Sequence, residues 1–172
     1  MPPNPGSYQW WRDNYSTDTE FQKVCGVLKG FGVDCSAVEV DHFPPNASYT
    51  GSTYEMQLPY AARPAFPIPK YLHRFHSGDG GMGGHVSSTG STFVAKTWTP
   101  QLGAKMSAGN FYAAMKQDII DKQNVALGAT NGQDRKLFNK VLLPAVELVH
   151  KLNMINDSEY FDLMNDLGAF GK

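Results

Sequence analysis

The chain has 172 residues, 41% of them hydrophobic, and a formal net charge of −1, which is enough apolar content for one full-sized core and not for two. The near-neutral balance argues neither for a nucleic-acid coat protein nor for an acidic tail. The opening MPPNPGSYQWWRDNY has no basic segment followed by an apolar one, and nowhere do eighteen apolar residues run together, so neither a Sec-type signal nor a membrane span is expected.

Residues 1 to 16 are rich in Pro, Gly, Asn and Trp and read as an irregular arm anchored by Trp10 and Trp11. Thr17 with Glu20 three residues on has the form of a capping box, and Phe21, Val24, Cys25 and Leu28 recur at helical spacing. A helix over about 18–29 is predicted, ended by Gly30 and Gly32. Cys25 and Cys35 are too few for a disulfide framework and lack the four-ligand spacing of structural zinc, which makes reduced thiols the expectation. In SAVEVDHF, Val38 and Val40 alternate with Glu39 and Asp41 as in a half-buried strand.

Residues 43 to 106 are poor in helix formers and read as a loop-rich core. Within it PAFPIPKYLHRFHSG holds a short strand-like piece and then a helix of two turns, opened at Pro69 and stopped by Gly78, with His73 and His76 on one face. The stretch 78 to 92 has six of the seventeen glycines, which predicts a loop that moves or that another backbone approaches closely. Between Leu58 and Met106 there are five bases (Arg63, Lys70, Arg74, Lys96 and Lys105) and one acid, Asp79, a local surplus of positive charge. Residues 107 to 172 are helical by pattern. Phe111, Met115 and Ile119 form one stripe closed by Gly128. Leu137, Val141, Leu148 and Leu152 form a second, with Pro144 predicting a kink or break near Val141, and Phe161, Met164 and Leu167 a third, capped by Ser158 and ended by Gly168. These stripes read as core packing. The division is one domain, 1–172: an arm and helix (1–35), a core with its Gly-rich loop (36–106), and C-terminal helices (107–172).

Four of the five histidines, His42, His73, His76 and His85, fall within 44 residues that also contain Asp41 and Glu39. Imidazoles beside a carboxylate in a locally basic segment point to a metal or catalytic centre. Neighbours on a strand face opposite ways, so Asp41 and His42 can serve one centre only if the strand breaks there, and Phe43-Pro44-Pro45 supplies a break. Carboxylate oxygen and imidazole nitrogen suit a divalent cation, and a partly protein-made coordination sphere is the layout of a catalytic ion. Glu39, two residues before Asp41, reads as a surface carboxylate, with orientation of a ligand as the alternative. Arg74 and Lys70 are either phosphate clamps or solvent-facing helix charges. His150 reads as structural, and Tyr49 and Tyr54 as core or groove aromatics. Zincin, deaminase, P-loop and nucleophile-elbow motifs are absent; Gly78 to Gly83 matches G-x-G-x-x-G but opens no helix.

VEVDHFPPNASY followed by FPIPKYLHRFHSGDGG resembles the HNH or ββα-metal nucleases, and within them the histidine-rich nuclease domains of bacterial polymorphic toxins, over about residues 36 to 92. The resemblance implies an α+β fold: a small ββα-metal core embedded among α-helices, one N-terminal and about three C-terminal. It implies a metal-dependent DNA endonuclease with one divalent ion (Mg, Mn or Zn), RNA being a possible substrate. His42 would be the general base, Asp41 a metal ligand, and His73 the helix ligand, with His76 as alternative or additional ligand. The usual HNH asparagine has no counterpart here. With Arg74 on the phosphate, the catalytic set is His42, His73 and Arg74 and the metal set Asp41, His73 and His76. As a secreted or injected antibacterial effector acting in the cytoplasm of a target bacterium, such a protein would require a cognate immunity protein and no membrane partner. Two other readings are a metal-dependent hydrolase of another substrate, and a binding domain with a structural metal site.

Overall fold

The computed structural model describes residues 2–74 and 95–171. Among them the architecture is α+β. Two strands, β1 (Val38–His42) and β2 (Ala65–Pro69), form an antiparallel ribbon with Val38 opposite Pro69 and His42 opposite Ala65. Around it lie α1 (Tyr8–Asn14), α2 (Thr19–Gly30), α3 (Thr53–Gln57), α4 (Lys70–Arg74), α5 (Ala95–Ser107), α6 (Phe111–Ala129), α7 (Asn139–Lys151) and α8 (Asp157–Asp166), with short 3-10 turns at Asn46–Tyr49 and Tyr60–Ala62. No helix among the described residues is long and apolar enough to cross a membrane.

Two prolines inside β2 look incompatible with a strand until the hydrogen bonds are followed. The Ala65 N–H donates to the Gly6 carbonyl, away from β1. Residues 67 and 69 share that parity, so Pro67 and Pro69 lack donors only on the side where β1 needs none. All five β2 residues are buried, because α1 and α7 pack on the ribbon. Phe66, Ile68 and Leu72 join Phe21, Leu28, Phe111, Met115, Val141 and Leu142 in one core.

Several elements depart from expectation, each for a local reason. The arm is helical at α1: the Ser7 side chain caps it by accepting the Trp10 N–H, and Trp11 is buried. Gly6 enters it at φ +87°, with its Cα so close to the Pro144 carbonyl that a Cβ would lie 2.2 Å from that oxygen. Among the described residues two helices therefore precede the ribbon, not one, while the three helices expected after residue 107 are α6, α7 and α8. α2 is capped by Asp18, whose carboxylate accepts the Phe21 N–H, and not by Thr17. α5 begins inside the segment expected to be loop-rich, since burial of Leu102 and Met106 against the Asn46–Tyr49 turn and α6 outweighs its weak propensity. α7 passes through Pro144 without a break, because Val141, Leu142, Ala145, Val146 and Val149 all bury one face. α8 starts from Asn156, which forms a reciprocal capping box with Glu159, instead of Ser158.

The cysteines also depart from expectation. Cys25 on α2 and Cys35, just ahead of β1, form a disulfide with Cα atoms 5.8 Å apart. One bridge over ten residues carries no sequence pattern, so spacing alone gave no hint of it.

Candidate catalytic site

β1 divides its polar side chains between two faces. Glu39 and Asp41 point toward α4 and α6, while His42 points toward α1 and the Tyr60–Ala62 turn. The break at Phe43-Pro44-Pro45 comes one residue too late to turn Asp41 and His42 to one side, since His42 is still paired with Ala65. The expectation that both would face one centre is corrected accordingly.

On the first face His73 stands between two carboxylates. Its Nδ1 lies 3.0 Å from Glu39 Oε1 and its Nε2 3.3 Å from Asp41 Oδ1. Burial alone would lower the His73 pKa, but the charge and hydrogen bond of Asp41, and then Glu39, raise it to about 9. The ring is therefore an imidazolium at neutral pH, donating from both nitrogens. Glu39 is pulled down to about 2, first by its hydrogen bond with His73 and then by Arg74. Arg74 donates from Nε to both Glu39 oxygens, at 2.6 and 2.7 Å. Asp41 is buried, which by itself would raise its carboxyl; the His73 charge and hydrogen bond, with Lys122, hold it below the ordinary value.

Lys122 reaches this face from α6. Its ammonium lies 2.9 Å from Asp121, 3.1 Å from Asp118 and 3.9 Å from Asp41 Oδ2, fully buried. Burial works against its charge, but the three carboxylates raise its pKa. Asp118 is pushed up to about 7, chiefly by burial, with further help from the neighbouring Asp121 and Asp41 charges.

On the second face His42 is nearly buried. Tyr8 stacks parallel to it with ring centroids 4.6 Å apart, Tyr60 meets it edge-on at 4.4 Å, and Nε2 lies 2.9 Å from the Tyr60 carbonyl. A carbonyl only accepts, so Nε2 carries the proton. Burial lowers the His42 pKa more than the Tyr60 carbonyl and the nearby Asp41 restore it, which leaves a neutral ring with a lone pair on Nδ1.

Of the residues expected to hold an ion, the structure brings together Asp41 and His73. Two ligands of a tetrahedral ion at about 2.0–2.1 Å stand about 3.3 Å apart, which is the separation of Asp41 Oδ1 and His73 Nε2. Glu39 on Nδ1 supplies the carboxylate support that a ligating imidazole requires. His73 would have to give up its Nε2 proton to bind, so occupancy would release a proton. Among the described residues no group of three or more His, Cys, Asp or Glu side chains is arranged to hold an ion; the pair fits two positions. His76 and His85, along with the Gly-rich loop, lie outside the described residues.

Sequence reasoning gave Glu39 too small a role and missed Lys122. Glu39 is only 22% exposed and binds both His73 and Arg74. Lys122 carried a readable signal: Asp118 and Lys122 occupy the register of the apolar stripe Phe111, Met115 and Ile119, where a charge needs a buried partner. Of the others, His150 bonds Asp157 and stacks on Tyr160, as a structural residue would. Tyr49 and Tyr54 are core aromatics, Tyr49 under the Arg63 guanidinium. Lys70 is exposed at the start of α4.

A scan against protein-family models finds no match, and searches of curated proteins and of solved structures find none either.

Proposed function

We propose that this protein is a metal-dependent endonuclease that hydrolyses DNA phosphodiester bonds, serving as an antibacterial toxin effector held in check by an immunity protein. The observation that carries the chemistry is the division of labour along β1. Asp41 faces His73 at a ligand-pair separation, and the next residue, His42, is a neutral imidazole whose Nε2–H is tied to a backbone carbonyl. The effector role rests on the likeness of VEVDHFPP and IPKYLHRFH to toxin nucleases.

In this reading His42 is the general base that the resemblance implies, neutral at pH 7 as that role requires. Because it lies on the face of β1 opposite Asp41 and His73, the substrate must reach both across the edge of the strand. The Tyr60 carbonyl and the Tyr8 ring fix the orientation of His42. Asp41 and His73 would hold a divalent ion, Mg, Mn or Zn, with Glu39 steadying the imidazole and Arg74 steadying Glu39. When bound, such an ion offsets charge growing on the phosphate and the leaving 3′-oxygen. Arg74, the phosphate clamp expected from sequence, first serves Glu39, and Lys70 is the exposed cation of the same helix.

Plasmid DNA incubated with the protein and Mg²⁺, Mn²⁺ or Zn²⁺ should be nicked, and EDTA should stop the nicking. His42→Ala should slow cleavage by about 10²- to 10⁴-fold while metal binding, followed by calorimetry, persists. Intact plasmid under every metal condition removes the proposal. A chelator that sharply lowers the melting temperature with no substrate consumed marks a structural site instead.

A further inference from the structure

The arginines near the site are already engaged, with one exception. Arg63 is buried and donates to the Leu58 and Glu55 carbonyls and to Asn46. Arg74 is paired with Glu39. Arg12, one turn along α1 from Tyr8, is exposed and makes no salt bridge among the described residues. Its guanidinium carbon lies 5.9 Å from the centre of the Tyr8 ring, with Nη1 3.5 Å from the Tyr8 hydroxyl. Tyr8 and Tyr60 meet edge-on at 4.8 Å, both against His42, and Tyr60 is 50% exposed. A half-exposed aromatic ring and an exposed guanidinium with no salt bridge among the described residues thus share one small patch that lies over the buried His42.

We infer that Tyr60, Tyr8 and Arg12 form a subsite for an unpaired nucleotide beside the cleaved bond, the base stacking on Tyr60 and the adjoining phosphate held by Arg12. The inference rests on the endonuclease reading and extends it to a substrate form: a strand that is single or locally opened, since a stacked base pair offers no face to an aromatic ring. Stacking of this kind tolerates any base, because every base has a π-face. The guanidinium adds a planar fork for phosphate oxygens. Tyr8 contributes by holding both His42 and Arg12 in place. The N-terminal helix, which the motifs leave without a role, thereby becomes part of substrate binding.

The test is fluorescence anisotropy with a labelled twelve-residue oligothymidylate and an abasic strand of the same length, in EDTA so that nothing is cut. The parent should bind the oligothymidylate more tightly than the abasic strand. Tyr60→Ala should weaken oligothymidylate binding by about 5- to 150-fold and erase the preference, and Tyr60→Leu, which keeps bulk without a π-face, should do the same. Arg12→Ala should weaken both ligands and reduce the salt slope of log K by about 0.7. Circular dichroism melts of each variant identify any that fail to fold, and the Leu variant covers a failed Ala variant. Parent-like affinity in a folded Tyr60 variant, or an unchanged salt slope in Arg12→Ala, overturns the subsite. Plasmid nicking by the same preparations separates the two readings: cleavage with parent-like variants removes the subsite alone, whereas a parent that neither binds nor nicks removes both.

Discussion

Lys116 and Lys122 sit on the same helix six residues apart, and each gathers carboxylates from its surroundings, yet one side chain is 39% exposed and the other 0%. Lys116 bridges to Asp162 and Asp166 on α8, with Tyr112 also donating to Asp162. Lys122 serves Asp118, Asp121 and Asp41 in the interior. Water screens the first cluster, so its charges contribute little whether paired or not. Nothing screens the second: three carboxylates converge on one ammonium, and Asp118 responds by resisting ionisation. The contrast teaches that α6 does more than pack. Through Lys122 it adds to the His73 charge in keeping Asp41 ionised, the carboxylate on which the proposed centre depends.

Lys122→Met should separate the clusters most widely, lowering stability in urea denaturation by about 3–5 kcal/mol, because it strands buried carboxylates without a counter-charge. A loss under about 1 kcal/mol would put the two lysines in one class and end the comparison. A double-mutant cycle with Asp41→Asn comes next and should return a coupling of about 0.5–3 kcal/mol; strict additivity would mean that α6 and β1 do not share a network. Third is the pH dependence. Folded Asp118 titrates near 7 against an ordinary 3.8, so between those values the native chain holds a proton that the unfolded chain has released. The stability it contributes is full below about pH 4 and lost as pH rises through 7, at up to about 1.4 kcal/mol per pH unit. Asp118→Asn should flatten that part of the urea-midpoint curve, and an unaltered curve would assign the slope elsewhere. The smallest effect belongs to Lys116→Met, at under about 1 kcal/mol in the same assay and weaker still in 1 M salt.

Strand alternation made β1 legible, and with it the opposed faces of Asp41 and His42; what alternation could not supply was the place where the strand ends, so the sharing of one centre was misjudged. Phe21, Val24 and Leu28 announced α2 because a single buried face dictates their spacing. α1 stayed hidden because its start is full of prolines and glycine and its stability comes from Trp11 entering a core assembled from distant segments. Glu39 could be assigned only once α4 was seen to lie across its face, because half-exposure of a strand residue depends on what covers the sheet. The disulfide likewise depends on a fold-back between α2 and β1 that two isolated cysteines do not encode.

A two-stranded ribbon would ordinarily be an invitation for a stray chain to add itself as a third strand. Here the border of β2 away from β1 offers two imide nitrogens without hydrogens at Pro67 and Pro69, and the one β2 amide on that side, at Ala65, is already engaged by Gly6. That border has no row of donors for a newcomer to template on, so the pair of prolines that makes the strand hard to recognise also guards the molecule against edge-to-edge polymerisation.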